Sequence, residues 1–305
     1  MTLRALILGA AAGGGLPQWN CNAPNSASFW RGTPLAAATQ SSLAVSGDGE
    51  NWALLNCSPD IRQQIMQTAA LHPREGHGLR DTPIHSILLT NGDIDHIAGL
   101  LILREKQAYR LLMTAEIAKV IAENPIFNAL DPEFVTRETV ALETPVEVTP
   151  GISATLFAVP GKVPLFMEGD HGGDAVETAL MGEQTVGVEL SDGTKSAFYI
   201  PGCARLVPTL EDRIRGAALL FFDGTVWADD EMIREGVGQK TGARMGHMYM
   251  SGPGGSIAAL APLDIARKIY VHINNTNPVW RDGPERAEAE AAGWEIGHDG
   301  MEVTL

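Results

Sequence analysis

The sequence has few cysteines, few positive charges and no long hydrophobic run. Its 305 residues include three cysteines, Cys21, Cys57 and Cys203, which are odd in number and widely spaced. This pattern argues against a disulfide framework and is typical of proteins from a reducing compartment.

Positive charge is scarce. Lys and Arg number 22 against 37 Asp and Glu, which gives a formal net charge of −15. Such a chain repels a phosphate backbone unless a basic patch overrides the repulsion locally, and no such patch is evident. We therefore exclude nucleic acid as a partner.

No apolar run is long enough to span a membrane. The one at the N-terminus, within residues 1–9, also lacks the basic region and the cleavage-site pattern of a signal peptide. We expect a cytoplasmic protein that does not insert into a membrane.

The composition is that of a globular chain, with 45% apolar residues. No linker, repeat or low-complexity segment divides it, and we predict a single domain over residues 1–305. Short β-rich runs occur at residues 4–8, 42–45, 52–56, 84–89, 152–158, 186–190, 197–200, 219–222, 269–273 and 302–305.

Helices are predicted between several of these runs. Ser58 is a candidate N-cap with Pro59 in the first turn, Thr114 is a candidate cap for a second helix, and a third begins at Pro284. Turn-like connections between early strands favour mixed sheets with hairpins. We expect an α/β layered fold in which two β sheets pack together and helices cover them outside.

Polar side chains follow three buried strands. Asp95 and His96 come after the run at 84–89, Asp223 follows the run at 219–222, and His272 follows Val271. An Asp and a His that are buried side by side are costly to desolvate, and a metal ion would compensate both. The alternative is that Asp95 is only a helix N-cap and His96 a hydrogen-bonded core residue.

The glycine-rich run at residues 9–15 follows a strand but does not fit a nucleotide-phosphate loop. No Lys-Ser or Lys-Thr follows it, Pro17 interrupts a helix start, and no acidic residue occurs before Asp48. We interpret it as a tight loop beside a site.

Eight short runs, spread along nearly the whole chain, form a family pattern. They are Leu8–Asn20, Thr39–Ser42, Asn56–Arg62, Asp93–His96, Asp223–Trp227, Met245–His247, Gly252–Gly255 and His272–Pro278. Together they resemble the metallo-β-lactamase superfamily, and more closely the pyrroloquinoline quinone (PQQ) biosynthesis protein B family within it. The resemblance implies a metallo-β-lactamase-like αββα sandwich.

The metal motif of that superfamily, His-x-His-x-Asp-His, maps onto Asn91, Asp93, Asp95 and His96. The resemblance implies that the first two positions serve one metal site, and that the last two serve a second site together with His272. Asn91 and Asp93 therefore replace both imidazoles of the first site. Two histidines and one carboxylate remain as predicted metal ligands.

A two-His-one-carboxylate set with open positions is used by non-haem Fe(II) oxygenases, and a single metal has no partner for two-metal activation of water. The resemblance implies an iron-dependent hydroxylase that acts on the tyrosine-derived part of a peptide precursor, with O2 as co-substrate. One divalent metal is expected, with Fe(II) favoured over Zn(II), which also suits these ligands. The alternatives are a carrier that assists transport of the quinone or its precursor to the periplasm, and a zinc hydrolase.

Several further residues are candidates for this site. Asp93 is a further metal ligand, a partner that fixes an imidazole, or a solvated turn residue. Asp223 orients a histidine, acts as a base, or caps a turn; with His247 it is our candidate catalytic pair. Substrate contacts are predicted for the polar loop after His272, at Asn274, Asn275 and Asn277.

Two further stretches are not assigned to the predicted site. Family members often carry Cys-x-Cys-x-x-Cys after Trp-Asn, but Cys21 is the only cysteine in this stretch, so no structural zinc is expected there. The acidic loop at residues 168–174, which contains His171, either closes over the site or is solvated surface.

The predicted partners are a tyrosine/glutamate precursor derived from a peptide, other PQQ biosynthesis proteins and a second copy of the chain.

Overall fold

The computed structural model describes residues 2–33, 35–167 and 180–305. In chain order the strands within them are β1 Arg4–Gly9, β2 Ser42–Ser46, β3 Trp52–Leu55, β4 Ile84–Leu88, β5 Tyr109–Met113, β6 Val135–Thr139, β7 Pro145–Thr149, β8 Ile152–Ala158, β9 Val186–Ser191, β10 Ser196–Ile200, β11 Leu219–Asp223, β12 Lys268–Val271, β13 Trp294–Ile296 and β14 Glu302–Thr304.

Short helices connect the strands. They are α1 Pro24–Trp30, α2 Ile61–Gln67, α3 Ile94–Ile97, α4 Ala115–Glu123, α5 Pro208–Ile214, α6 Glu231–Arg234, α7 Gly242–Met245, α8 Ser256–Leu260 and α9 Pro284–Ala291. Short 3₁₀ helices lie at Ala69–Leu71, Ala98–Leu101, Pro125–Ala129, Leu165–Met167, Ala261–Leu263 and Pro278–Trp280.

The strands form two mixed sheets of seven strands each. One has the order β14-β1-β2-β3-β4-β5-β6 and the other β13-β12-β11-β10-β9-β8-β7. In the first sheet, β3 to β6 are parallel; in the second, β10 to β13 are parallel. Because parallel neighbours end at the same edge, each sheet gathers the carboxyl ends of several strands in one place.

The alternation of side chains along the strands explains the layers. In β1, Ala5 and Ile7 face a core between the two sheets, while Leu6 and Leu8 face a second core under the helices that cover the first sheet. A third core joins the outer face of the second sheet to its own helices. Strands that are apolar on both faces are what a sheet buried on both sides requires. The predicted αββα sandwich is confirmed.

All ten predicted strands are present, with ends within two residues of the prediction. Thr114 caps α4 as expected, since its hydroxyl accepts from the Ile117 N–H, and α9 begins at Pro284. The predicted N-cap at Ser58 is wrong, because α2 begins at Ile61 after Asp60. The Ser58 hydroxyl instead donates to Gln64 within α2.

None of the helices in the described residues combines the length and the apolar character needed to span a bilayer. The loop at residues 168–174, with His171, lies outside the described residues.

The core between the sheets gives a test of the fold. Leu55 is fully buried there, and Leu55→Ala should destabilise the metal-free protein by about 2–5 kcal/mol because it leaves a cavity. The midpoint of urea unfolding measures this change. Leu79→Ala is the matched control: Leu79 is fully exposed, and its truncation should change the free energy of unfolding by less than about 0.5 kcal/mol. Equal effects of the two substitutions would contradict the packing described here.

Candidate metal centre and pocket

Both sheets contribute to one cluster of polar side chains. The first sheet supplies Asp95 and His96, from α3 just after β4, and the second sheet supplies His272, which follows β12. The potential ligand atoms of these three residues all lie within 4.8 Å of one another. Asp223 and His247 form an overlapping cluster with the same His272.

His96 is held with one ring nitrogen free. Its Nδ1–H donates to the side-chain oxygen of Asn91 over 2.7 Å, which leaves the lone pair on Nε2. That Nε2 is buried and has no hydrogen-bond partner among the described residues. Burial lowers the pKa of His96 to about 4, so the ring is neutral near pH 7. A neutral, oriented and unpaired imidazole nitrogen is the usual state of a metal ligand.

His272 contacts Asp95 at the boundary between the two sheets. Its Nε2 lies 3.1 Å from Asp95 Oδ2, and its Nδ1 lies 2.8 Å from the Thr225 hydroxyl. Burial alone would lower the pKa of His272, but the hydrogen bond and charge of Asp95 raise it. Burial likewise raises the pKa of Asp95, but His96 and His272 outweigh it and hold the pKa below its usual value. Without a metal, a proton therefore joins Asp95 and His272.

These residues fit a divalent metal. Asp95 Oδ2 lies 3.1 Å from His272 Nε2 and 4.0 Å from His96 Nε2, which are separations that three ligands of one ion adopt. The orphaned Nε2 of His96 gains a partner only if something binds there. Two imidazoles and one carboxylate suit Fe(II) and Zn(II) equally.

Asp223 organises the second half of the site. It is fully buried and accepts the backbone N–H groups of Cys203 and Thr225, the Thr225 hydroxyl and the Nδ1–H of His247. Burial alone would raise its pKa, but His247 and these hydrogen bonds lower it. Asp223 thus orients His247 directly, and it orients His272 through Thr225, whose hydroxyl donates to Asp223 and accepts from His272.

His247 follows a helix end that requires glycine. Gly246 ends α7 with a φ of +85°, a conformation that residues with a Cβ rarely adopt. A Cβ on Gly246 would also meet the stem of Lys162 at 3.2 Å. The Nδ1 of His247 lies 2.7 Å from Asp223, and its ring stacks on His272 with centroids 5.0 Å apart. Its other nitrogen, Nε2, is on the far side of the ring from Asp223.

A cavity of about 340 Å³ opens beside these groups. The glycine-rich loop lines it through Ala12 and Gly13, as expected of a loop beside a site. Its remaining described lining residues are Gln18, Asn91, Asp93, Asp95, Lys162, Thr225, Met232, Lys240, Met245, His247, His272 and Asn274. This size accommodates an aromatic side chain with polar groups at its edge.

The other predicted site residues lie at different depths. Asp93 lines the pocket, with Oδ1 3.9 Å from Lys162 Nζ, and belongs to neither cluster of ligand atoms. Asn274 also lines the pocket. Asn277 is fully buried and donates to the Gly224 carbonyl, while the Asn275 amide donates to Gln18. The substrate contacts of these residues stay predictions.

Several residues at the site were not assigned from the sequence. Asn91 was interpreted as a lost ligand, whereas its side chain fixes His96. Thr225 was noted only as part of the turn after Asp223; its place between an acid and a histidine was the available signal. Lys162 and Lys240 had no local signal in the sequence, since both come from loops.

Cys21 lies outside this site. Its sulfur accepts a hydrogen bond from the Ala23 N–H.

The sequence of this chain is similar to those of proteins whose family is known. The family model for a β-lactamase superfamily domain matches residues 51–273. The chain is 57% identical to coenzyme PQQ synthesis protein B from Ruegeria pomeroyi, over 99% of this chain and 100% of that one. It is 54% identical to the protein of the same name from Rhizobium meliloti, over 99% and 98%.

Solved structures agree with this likeness. The structure of Zn²⁺-bound PqqB from Methylobacterium extorquens superposes with a TM-score of 0.95 at 52% identity, covering 99% of this chain and 100% of that one. A diphosphatase from the PhnP family matches with a TM-score of 0.69 at 19% identity, over 100% and 98%, which shows a shared fold alone.

The role of Asn91 can be tested through metal affinity. Asn91→Leu removes the acceptor for His96 Nδ1–H and should weaken Zn²⁺ binding about 10- to 100-fold, measured by competition with a chelator. Asn91→Asp keeps an acceptor of the same length and should retain most of the affinity. Wild-type affinity in the leucine variant would show that His96 does not depend on Asn91.

The proton between Asp95 and His272 predicts a pH dependence. Metal binding must displace this proton, and the pKa of His272 is raised, so Zn²⁺ competes with it below that pKa. The logarithm of the affinity should rise by about one per pH unit until His272 loses its proton, and then level off. His96 adds nothing in this range because it is neutral above pH about 4. Chelator competition between about pH 5.5 and 8 measures the slope, and a flat profile would contradict the assignment.

Proposed function

We propose an activity for this chain from its family, since it belongs to the coenzyme PQQ synthesis protein B family of the β-lactamase superfamily and works in PQQ biosynthesis. The proposed activity is that of an Fe(II)- and O2-dependent hydroxylase. Its substrate in this proposal is the tyrosine-derived part of a peptide precursor. Hydroxylation puts one oxygen atom of O2 into a ring C–H bond and releases the other as water, so a reductant must supply two electrons.

One observation carries the proposal: the residue in the first position of the metal motif is used inside the protein. Asn91 Oδ1 accepts from the ring of His96 at 2.7 Å and from the Asp93 N–H at 3.0 Å. It is therefore occupied in orienting the remaining site. A hydrolase that depends on two metals needs ligands for both, whereas a one-metal oxygenase needs two histidines, one carboxylate and open positions.

The residues of the pocket divide the work. Asp95, His96 and His272 would hold the metal, and bound Fe(II) would supply O2 activation at the positions these ligands leave open. His247 Nε2 is available to take or return a substrate proton. Asp223 keeps the other nitrogen of His247 protonated and stabilises the imidazolium that proton uptake creates.

The pocket lining suits an acidic aromatic substrate. Met232 and Met245 offer polarisable apolar surface to a ring. Lys162 and Lys240 bring positive charge to the same cavity in a chain whose net charge is −15. A precursor derived from tyrosine and glutamate carries both a ring and carboxylates.

Zinc enters the proposal as a control. The structure of the Methylobacterium extorquens relative is Zn²⁺-bound, and the ligand set here suits zinc as well. Zinc has no redox chemistry under biological conditions. A zinc-loaded form should therefore bind the substrate without hydroxylating it.

The test is reconstitution without oxygen, followed by exposure to O2. Protein loaded with Fe(II), given ascorbate and the tyrosine-containing precursor, should consume O2 and yield a product heavier by one oxygen atom. His96→Ala should lose metal and turnover together, because it removes the nitrogen that has no other partner. His247→Ala should keep its metal while turnover falls about 10²- to 10⁴-fold.

Other outcomes point to the alternative functions. Unchanged turnover in His96→Ala, or no turnover by the iron form, would reject the hydroxylase. Water addition to the precursor by the zinc form alone would identify a zinc hydrolase. Tight binding of the quinone with no chemistry on any substrate would favour the carrier.

A further inference from the structure

A buried carboxylate, Glu231, lies behind the wall of the pocket. It begins α6 and is only 4% exposed. We propose that Glu231 fixes the side-chain amide of Asn274 so that its carbonyl oxygen, Oδ1, faces the pocket and selects substrates with a hydrogen-bond donor there. The donor is the phenolic O–H of the tyrosine-derived ring, which rests on the proposed function.

Glu231 acts on Asn274 through one hydroxyl group. The Thr276 hydroxyl donates to Glu231 Oε1 over 2.5 Å, and the same oxygen accepts from Asn274 Nδ2 over 2.6 Å. The second carboxylate oxygen of Glu231 accepts the Trp227 N–H at 2.6 Å. An ionised carboxylate can only accept, so the single proton of Thr276 is committed to Glu231.

This commitment decides which way the Asn274 amide points. With its proton used, Thr276 can only accept from Asn274, and the amide must turn its NH2 group toward Thr276. The flipped amide would place two oxygens against each other with no hydrogen between them. The Nδ2 group also lies 3.0 Å from the sulfur of Met232, which fills the same side.

The backbone of Asn274 is held by hydrogen bonds at both its N–H and its carbonyl group. Its N–H donates to the Thr225 carbonyl at 3.0 Å, and its own carbonyl accepts the indole N–H of Trp280 at 2.8 Å. With the backbone held, the orientation of the side-chain amide decides which of its two polar atoms faces Thr276. Within the described chain, Oδ1 has just a long contact of 3.4 Å from the amide of Asn275, so it can accept a stronger bond from a ligand.

Burial raises the pKa of Glu231 to about 7, with hydrogen bonds from Thr276 and Trp227 acting against the rise. The charge of Glu235 also raises the pKa of Glu231, and the charge of Arg234 lowers it. Arg281 and Glu285 are the other charged groups nearby, since they line the same surface cavity as Glu231. The acid is mostly ionised at pH 8, which is where the orientation should be measured.

The test compares two probes that differ by one donor. The dipeptide Glu-Tyr and its tyrosine O-methyl ether are titrated calorimetrically into the zinc-loaded protein at pH 8. The wild type should bind the phenol about five- to tenfold more tightly than the ether, as expected for one hydrogen bond. Glu231→Gln has the same shape but can donate to Thr276, which frees the Thr276 proton for Asn274 Oδ1, so the ratio should fall to about one.

Two further variants separate positioning from folding. Thr276→Val breaks the link and should also bring the ratio near one, even if Glu231→Gln does not fold. Asn274→Asp offers an acceptor in either orientation, so adding it to Glu231→Gln should restore the preference for the phenol. A merely structural loss of the loop would not be rescued in this way.

The outcomes are decisive in both directions. A wild-type ratio near one, no measurable binding of Glu-Tyr, or an unchanged ratio in Glu231→Gln would overturn the proposal. Binding is read without O2 or turnover, so failure of the hydroxylation assay leaves this result intact. Conversely, hydroxylation with no phenol preference would retain the proposed function and reject the role of Glu231.

Discussion

The site depends on an ionised carboxylate that has no contact with water. Asp223 is fully buried, and an isolated charge in that position would be prohibitively costly. Four donors meet it, and each comes from a group whose position matters to the site: the turn after β10, the turn after β11, the Thr225 hydroxyl and His247. Satisfying one charge thus fixes two histidines and the chain around them.

The two sheets are coupled by the same requirement. Asp95 and His96 lie in α3, which follows β4 of the first sheet, and His272 follows β12 of the second sheet. The packing of the core between the sheets therefore sets the distance between the ligands. Each histidine makes a hydrogen bond through one ring nitrogen to a residue on its own side of the site. His96 bonds to Asn91, which follows β4, and His272 bonds to Thr225, which follows β11. The remaining nitrogens meet where the sheets meet, which is why neither half could form a metal site alone.

Sequence patterns predicted ten of the fourteen strands in the described residues and missed β5, β6, β7 and β13. Burial alone does not explain the misses, because β5 and β13 are largely buried. The unpredicted strands β6 and β7 carry charged and exposed residues such as Glu138 and Glu147 at the sheet edges, where alternation no longer reports a core. Asp95, His96 and His272 were predictable because they are polar residues close to the ends of apolar runs, and because they match the metal motif of the superfamily that the sequence resembles. The partners Asn91, Thr225 and Glu231 were not, since hydrogen-bond direction follows from packing across the chain.

The backbone of His272 shows which requirement prevails at the site. Its φ of +55° lies in the left-handed region, which costs a residue with a Cβ about 1–2 kcal/mol. Glycine would remove that cost but also the imidazole. The hydrogen bond from His272 Nδ1 to Thr225, and the pairing of Nε2 with Asp95, offset the strain in the folded state. Strain at a residue whose side chain faces a pocket, held by bonds on both ring nitrogens, is expected where function rather than stability determines the residue.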